Sequence, residues 1–184
     1  MRIAPELEEV LLGKRGMLRG IEVALEQECL ISAVALMHAT IDAVSALTRP
    51  KEQDDTSRQV FEAWVKRFLL PGSGFEFSAS DLYAARCGVL HTSSSESRLE
   101  REQGAMPLVY QWSAGPPADQ AHPLPTGAVV VRVESLHRAI RHAVALFLKA
   151  SEAEPDLHDR VAHHLRALFC YVPWPTSAVR AVAS

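Results

Sequence analysis

Apolar positions recur at three- and four-residue steps along most of the chain, and that period predicts helices. A short helix is expected over residues 5–12, with Pro5 in its first turn, where a missing N–H is tolerated. Gly13, Gly16 and Gly20 then loosen the chain. Residues 17–48 read as one long helix, apolar nearly all round after Leu30, the pattern of the buried middle of a bundle. Arg49 and Pro50 end it, and KEQDDT follows as a solvated loop. Asp55 or Thr56 is expected to cap a helix over Ser57–Leu70, in which Val60 or Phe61, Trp64 and Phe68 form an inward stripe. Pro71-Gly72-Ser73-Gly74 stops that helix. The next runs from Ser78 to about His91, with Ser78 or Ser80 as its cap. Asp81 sits in its first turn, where the helix dipole favours a carboxylate. Leu82, Ala85 and Val89 face inward, and Gly88 weakens the far end.

Beyond this helix the pattern changes. Ser93 to Gly104 is polar, and Glu96, Arg98, Glu100, Arg101 and Glu102 read as a solvated face. Pro107–Trp112 and Ala128–Val133 have strand composition. They are expected to form a small antiparallel β-ribbon across about 107–133, joined by a Pro-, Gly- and Ala-rich loop over 113–127 that is mobile or carries contacts to a partner. Two amphipathic helices close the fold. One covers Glu134–Ser151, and one starts at Pro155 with Leu157, Val161, Leu165, Leu168 and Phe169 on its apolar side. Pro173 and Pro175 end the second, leaving residues 173–184 as a C-terminal tail with Trp174 as its anchor. The expected fold class is mainly α: a helical bundle in a single domain over 1–172, with the β-ribbon and two C-terminal helices added.

Composition narrows the function classes. Of 184 residues, 48% are hydrophobic and 22% charged, ordinary values for a soluble globular protein. A net charge of −3 argues against a protein that coats nucleic acid through a broad basic surface, though a small basic site is compatible with it. Cys29, Cys87 and Cys170 stand far apart with no CxxC pair, so neither zinc nor a disulfide framework is indicated, and a reducing, cytoplasmic setting is expected. The acidic N-terminus lacks the apolar core of a signal peptide. Cys29–Leu47 is long enough to span a bilayer, but a lone Asp42 in mid-span is costly in lipid, so a buried helix and no membrane are expected.

His38 and Asp42, four residues apart, share a helix face. They are expected to satisfy each other as a buried polar pair, the alternative being that Asp42 orients an active-site group. His137 and His142, like His158 and His163, are five apart, about 140° off one face, which suits two ligands poorly. No metal site and no cofactor are expected. No phosphate-binding glycine loop, dinucleotide fingerprint or nucleophile elbow is present.

The candidate chemistry lies at Arg86 and His91. Arg86 is a permanent cation with a planar fork of donors suited to phosphate oxygens, and His91 exchanges a proton near neutral pH. An Arg with a His and no carboxylate cluster suits metal-free phosphodiester chemistry. The spacing alone is weak, since Arg132 and His137 repeat it, and an ideal helix sets residues five apart about 140° from each other. The two groups converge only if the helix loosens near Gly88 or ends at His91, or if a second subunit supplies the matching pair.

The run DLYAARCGVLHT, preceded by Ile41-Asp42-Ala43 and FEAWVKRFLLP and followed by ESRLERE and PLVYQW, resembles the HEPN superfamily, over about Ile31–Tyr110. The family's Arg, a few residues, then His pattern falls on Arg86 and His91. The resemblance implies a HEPN-like helical bundle and a homodimer whose Arg and His line one cleft. In active members that cleft cleaves RNA without metal, with the His handling the proton and the Arg holding the phosphate. Cys87 stands where many active members carry a polar residue. Asp42, Tyr83 and Arg98 are second-rank candidates. A metal-independent endoribonuclease, in a toxin or phage-defence setting with an antitoxin or other protein partner, is the leading expectation. Its rival is a non-catalytic dimerisation module, or one that binds a nucleotide or RNA, which the acidic charge balance favours slightly.

Overall fold

A computed structural model of the chain describes residues 4–92, 104–113 and 123–166. Its elements run α1 (Ala4–Leu12), α2 (Met17–Glu26), α3 (Leu30–Ala46), α4 (Arg58–Trp64), α5 (Ala79–Thr92), β1 (Leu108–Gln111), β2 (Val129–Arg132), α6 (Val133–Ala153) and α7 (Pro155–Leu165). The fold is mainly helical with a small two-stranded sheet. The expected tail and the inward positions Leu168 and Phe169 lie outside the described residues. α3 packs against α2, α4, α5 and α6, as its apolar circumference requires. Ala33, Val34, Met37, Ile41 and Val44 are buried on it. None of the described helices is long and apolar enough to cross a membrane.

The expected single helix over 17–48 is instead a hairpin of α2 and α3. Glu28 takes a left-handed conformation at φ 57°. Cys29 N–H donates to the Ala24 carbonyl at 2.8 Å and Glu28 N–H to the Leu25 carbonyl at 3.1 Å. Together these bonds are a Schellman stop. A glycine normally occupies that position, so the apolar period ran across the break unmarked. The left-handed conformation costs a residue with a Cβ about 1–2 kcal/mol. Glu28→Gly is therefore expected to raise the unfolding free energy by about 1 kcal/mol, read as a higher urea midpoint at unchanged slope.

α4 is capped by Ser57, whose hydroxyl accepts from Val60 N–H at 3.4 Å, rather than by Asp55 or Thr56. Its expected stripe forms, with Phe61, Trp64 and Phe68 buried. Its last turn is not α-helical. Val65–Leu69 is a π-turn, in which Leu70 N–H reaches back five residues to the Val65 carbonyl at 3.0 Å. The extra residue widens the buried face, so Val65 and Leu69 are buried beside Trp64 and Phe68. Trp64, Phe68 and Phe147 of α6 meet ring against ring at 5.6–6.2 Å between centroids.

α5 begins with a reciprocal cap. Asp81 N–H donates to Ser78 Oγ at 3.2 Å, and Ser78 N–H donates to Asp81 Oδ2 at 2.8 Å. The other carboxylate oxygen, Oδ1, accepts from Met106 N–H at 2.8 Å and so ties the approach to β1 onto the same helix end. Asp81→Ala strips acceptors from two backbone donors and is expected to cost about 2 kcal/mol by urea unfolding, with Asp81→Asn losing less.

The two strands pair parallel, with Leu108 opposite Val129 and Gln111 opposite Arg132, and not as an antiparallel ribbon. Only a tight turn forces neighbouring strands to run antiparallel. The connection over residues 112–128 is long enough for the crossover a parallel pair needs. Leu108 and Val131 point into the core, and β2 leads directly into α6.

Candidate functional site

Polar side chains gather where α3, α5 and β1 meet. Arg86, the leading candidate on α5, donates through Nη2 to Asp42 Oδ2 on α3 at 2.6 Å. The side chains of this ion pair are 18% and 29% exposed, so it lies at the edge of the core, within reach of solvent. Burial works against the charge on Arg86, and the Asp42 carboxylate outweighs it, raising the guanidinium pKa above its ordinary value. Asp42 thus fixes the orientation of the guanidinium through one of its five donors.

The expected His38–Asp42 pair is not what α3 presents. His38 is fully buried and meets Tyr110 of β1, Nε2 to Oη, at 2.6 Å. Its Nδ1 has no partner among the described residues. A buried acceptor left bare costs less than a buried N–H left bare. We therefore place the imidazole proton on Nε2, donating to Tyr110 Oη, with Nδ1 as the bare acceptor. Burial first, and the nearby Arg86 charge second, push the His38 pKa down to about 3, so the ring is neutral at any physiological pH. A buried neutral histidine with a core partner positions β1 against α3.

Tyr83, one turn before Arg86, stands edge-on to Phe61 at 5.3 Å, with the Arg58 guanidinium 5.7 Å from its ring centre. Burial raises its phenol pKa, so it stays protonated. Cys87 Sγ lies 4.0 Å from Arg86 Nη1. Of the remaining candidates, Arg98 and the side chain of His91 lie outside the described residues. The helix itself runs unbroken from Ala79 to Thr92, through Gly88, so the backbone positions of Arg86 and His91 are about 140° apart around its axis.

Tyr110 was the member of this cluster that the sequence reading passed over. The signal was available: strand alternation puts residue 110 on the inward face with Leu108, and an inward phenol needs a partner. Of the histidines on the last two helices, the neighbours His163 and His164 meet edge to face at 4.7 Å between centroids. His142 and His163 are exposed, while His158 Nδ1 meets the Ser151 carbonyl at 3.1 Å. His164 is buried, with Nε2 3.2 Å from the Pro50 carbonyl. Among the described residues, no three His, Cys, Asp or Glu side chains gather closely enough to hold a metal ion.

Comparison of the chain with family models, curated proteins and solved structures returned no match. The site is therefore read from its own chemistry. It consists of one oriented cation on α5, a carboxylate that holds it, and a neutral, buried His38 bonded to the part-exposed Tyr110. Such an arrangement can anchor an anion beside a helix surface.

Proposed function

We propose that the chain is a HEPN-like metal-independent endoribonuclease that works as a homodimer, with Arg86 as phosphate clamp and His91 as general acid and base. The observation that carries this reading is the Arg86–Asp42 pair: a cation held in a fixed orientation, part-exposed, on the helix that also bears the histidine. Positioned charge of this kind stabilises negative charge developing on a phosphate. The surface beside it supports pairing of two copies. α3 carries no charged residue except Asp42, and Ile31, on the same side of the helix three turns before it, is 79% exposed. An exposed uncharged helix face beside a polar site is the kind of surface that a partner covers. In that arrangement the His91 that serves an Arg86 comes from the second copy, which removes the difficulty of their separation around one helix.

In the proposed reaction His91 takes the proton of the 2′-hydroxyl as that oxygen attacks the adjacent phosphorus. Arg86 binds the phosphate oxygens as their charge grows, the P–O5′ bond breaks to leave a 2′,3′-cyclic phosphate, and the 5′-oxygen takes its proton from the protonated His91 of the second copy or from water. The RNA is its partner under this reading, and a toxin or phage-defence role with a protein antitoxin would follow from such an activity. The test is cleavage of RNA by the purified protein in EDTA, with His91→Ala beside it. Cleavage that survives chelation and disappears in the variant is the expected result; cleavage by the variant at the wild-type rate would remove the assignment.

One observation favours the second reading, a non-catalytic HEPN-like dimerisation or nucleotide-binding module. The Asp42 carboxylate already neutralises Arg86, and a phosphate must share the guanidinium with it. Under that reading the pair braces a dimer or a bound nucleotide, and wild type and variant behave alike in the RNA assay.

A further inference from the structure

The outer side of α5 carries more than Arg86. Leu82, Ala84 and Ala85 are buried, whereas Tyr83, Arg86 and Cys87 are part-exposed. Tyr83 and Arg86, three residues apart, lie about 60° from each other around the helix and about 4.5 Å along it. Arg86 reaches α3, where it bonds Asp42, and Tyr83 reaches α4, where it meets Phe61 and Arg58. Asp42, Arg86, Tyr83 and Arg58 thus follow one another across three neighbouring helices.

Arg58 is held from two directions. Its Nε donates to Glu62 Oε1 at 2.6 Å, and its guanidinium carbon lies 5.7 Å from the Tyr83 ring centre, within the range of a cation–π contact. Together these contacts orient a planar cation whose side chain is still 37% exposed. Burial works against the charge on Glu62, and the hydrogen bonds from Arg58 and Lys66 outweigh it, holding the carboxyl below its ordinary value. The carboxylate that grips Arg58 therefore stays ionised at neutral pH. Lys66 Nζ donates to the other oxygen of Glu62 at 3.1 Å, so this flank of α4 sets two cations against one carboxylate, in a chain whose net charge is −3.

An oriented guanidinium backed by an aromatic ring, next to a second arginine that suits a phosphate, matches the two parts of a nucleotide. Bases stack on guanidinium planes and on aromatic rings, and the sugar–phosphate is held by charge. Stacking strength also sets modest base preferences, and the larger face of a purine gains more from a stack than that of a pyrimidine.

We propose that Arg58, backed by Tyr83, is the base subsite for the nucleotide adjoining the phosphate on Arg86, and that it favours a purine. The subsite rests on the reading of Arg86 as a phosphate anchor and is independent of cleavage by His91.

The test uses the full chain and three probes without a 2′-hydroxyl to cleave: the adenine tetranucleotide of 2′-O-methyl RNA, its uracil counterpart, and an abasic chain of the same length. Calorimetry gives the affinities, and urea midpoints check that each variant folds. The adenine probe is expected to bind about fivefold or more tightly than the other two. Arg58→Lys keeps the charge but loses the plane, and is expected to bring the adenine probe down to the level of the abasic one. Tyr83→Leu removes the backing of Arg58 and is expected to do the same, whereas Tyr83→Phe keeps the ring and is expected to bind as wild type does. Arg86→Met is expected to weaken all three probes alike, because it removes the phosphate contact and leaves the stack. Equal affinities for the three probes, no binding of any of them, or an adenine preference that survives Arg58→Lys would each overturn the subsite. A wild-type protein that shows the preference but cleaves no RNA in EDTA supports the subsite and removes only the nuclease; cleavage without the preference removes only the subsite.

Discussion

Under the proposed ribonuclease reading, Arg86→Met is expected to lower RNA cleavage on the order of 100- to 1000-fold, the usual consequence of removing one preorganised donor to developing charge. It is also expected to cost about 2 kcal/mol of folding stability, because Asp42 is left at the edge of the core without the cation that offsets its desolvation. The value is discounted from that of a fully buried pair, since both side chains retain some exposure. The two losses are separable. Arg86→Met combined with Asp42→Leu removes both charges and is expected to regain most of the stability while cleavage stays lost. Asp42→Asn keeps the cation but loosens its orientation, and is expected to reduce cleavage by about tenfold with binding of RNA little changed. Urea midpoints and single-turnover cleavage rates, measured on the same four proteins, read both quantities. An Arg86→Met protein that cleaves at the wild-type rate would leave Arg86 with a structural role alone, holding α5 against α3.

The helices were largely legible because burial imposes a period on the sequence. Phe61, Trp64 and Phe68 announce the inward side of α4, and Leu136, Ile140, Val144 and Phe147 that of α6, since each must meet the same core. What escaped was decided by backbone geometry or by partners far away in the chain. The stop at Glu28 uses a residue that carries no stop signal, so 17–48 looked continuous. The π-turn at Val65–Leu69 adds a residue to the helix without breaking its apolar period, so no local signal marks it. The sense of the strand pair was not legible because no short turn joins the strands in the sequence. At the site, Arg86 and Asp42 were each chosen from the sequence, but their contact spans two helices 44 positions apart. The four-residue spacing of His38 and Asp42 suggested a pair, and tertiary packing gave each a different partner.

Acid is expected to unfold this protein early, and His38 is the main reason. In the unfolded chain an imidazole titrates near its ordinary value of 6.5, whereas in the folded state burial, reinforced by the Arg86 charge, holds His38 at about 3. Between these values the unfolded state binds a proton that the folded state refuses, so stability rises with pH across that window and falls as pH drops through it. The slope from this one residue is about 1.4 kcal/mol per pH unit, which amounts to about 2 kcal/mol by pH 5, and it levels off near pH 3. Burial lowers the pKa of His137 and His164 as well, so their contributions have the same sign and deepen the loss. Protonation of His38 would add an N–H at Nδ1, where the described residues offer no acceptor, and place a second cation beside Arg86. His38→Leu combined with Tyr110→Phe removes both ends of the buried hydrogen bond, and such a replacement is close to neutral at pH 7. The double variant is expected to match wild type within about 1 kcal/mol at pH 7 and to exceed its stability by about 1–2 kcal/mol at pH 5. Urea unfolding at both pH values measures the difference. Parallel pH dependence in the two proteins would mean that His38 charges as readily folded as unfolded, and that the contact of α3 with β1 opens to water.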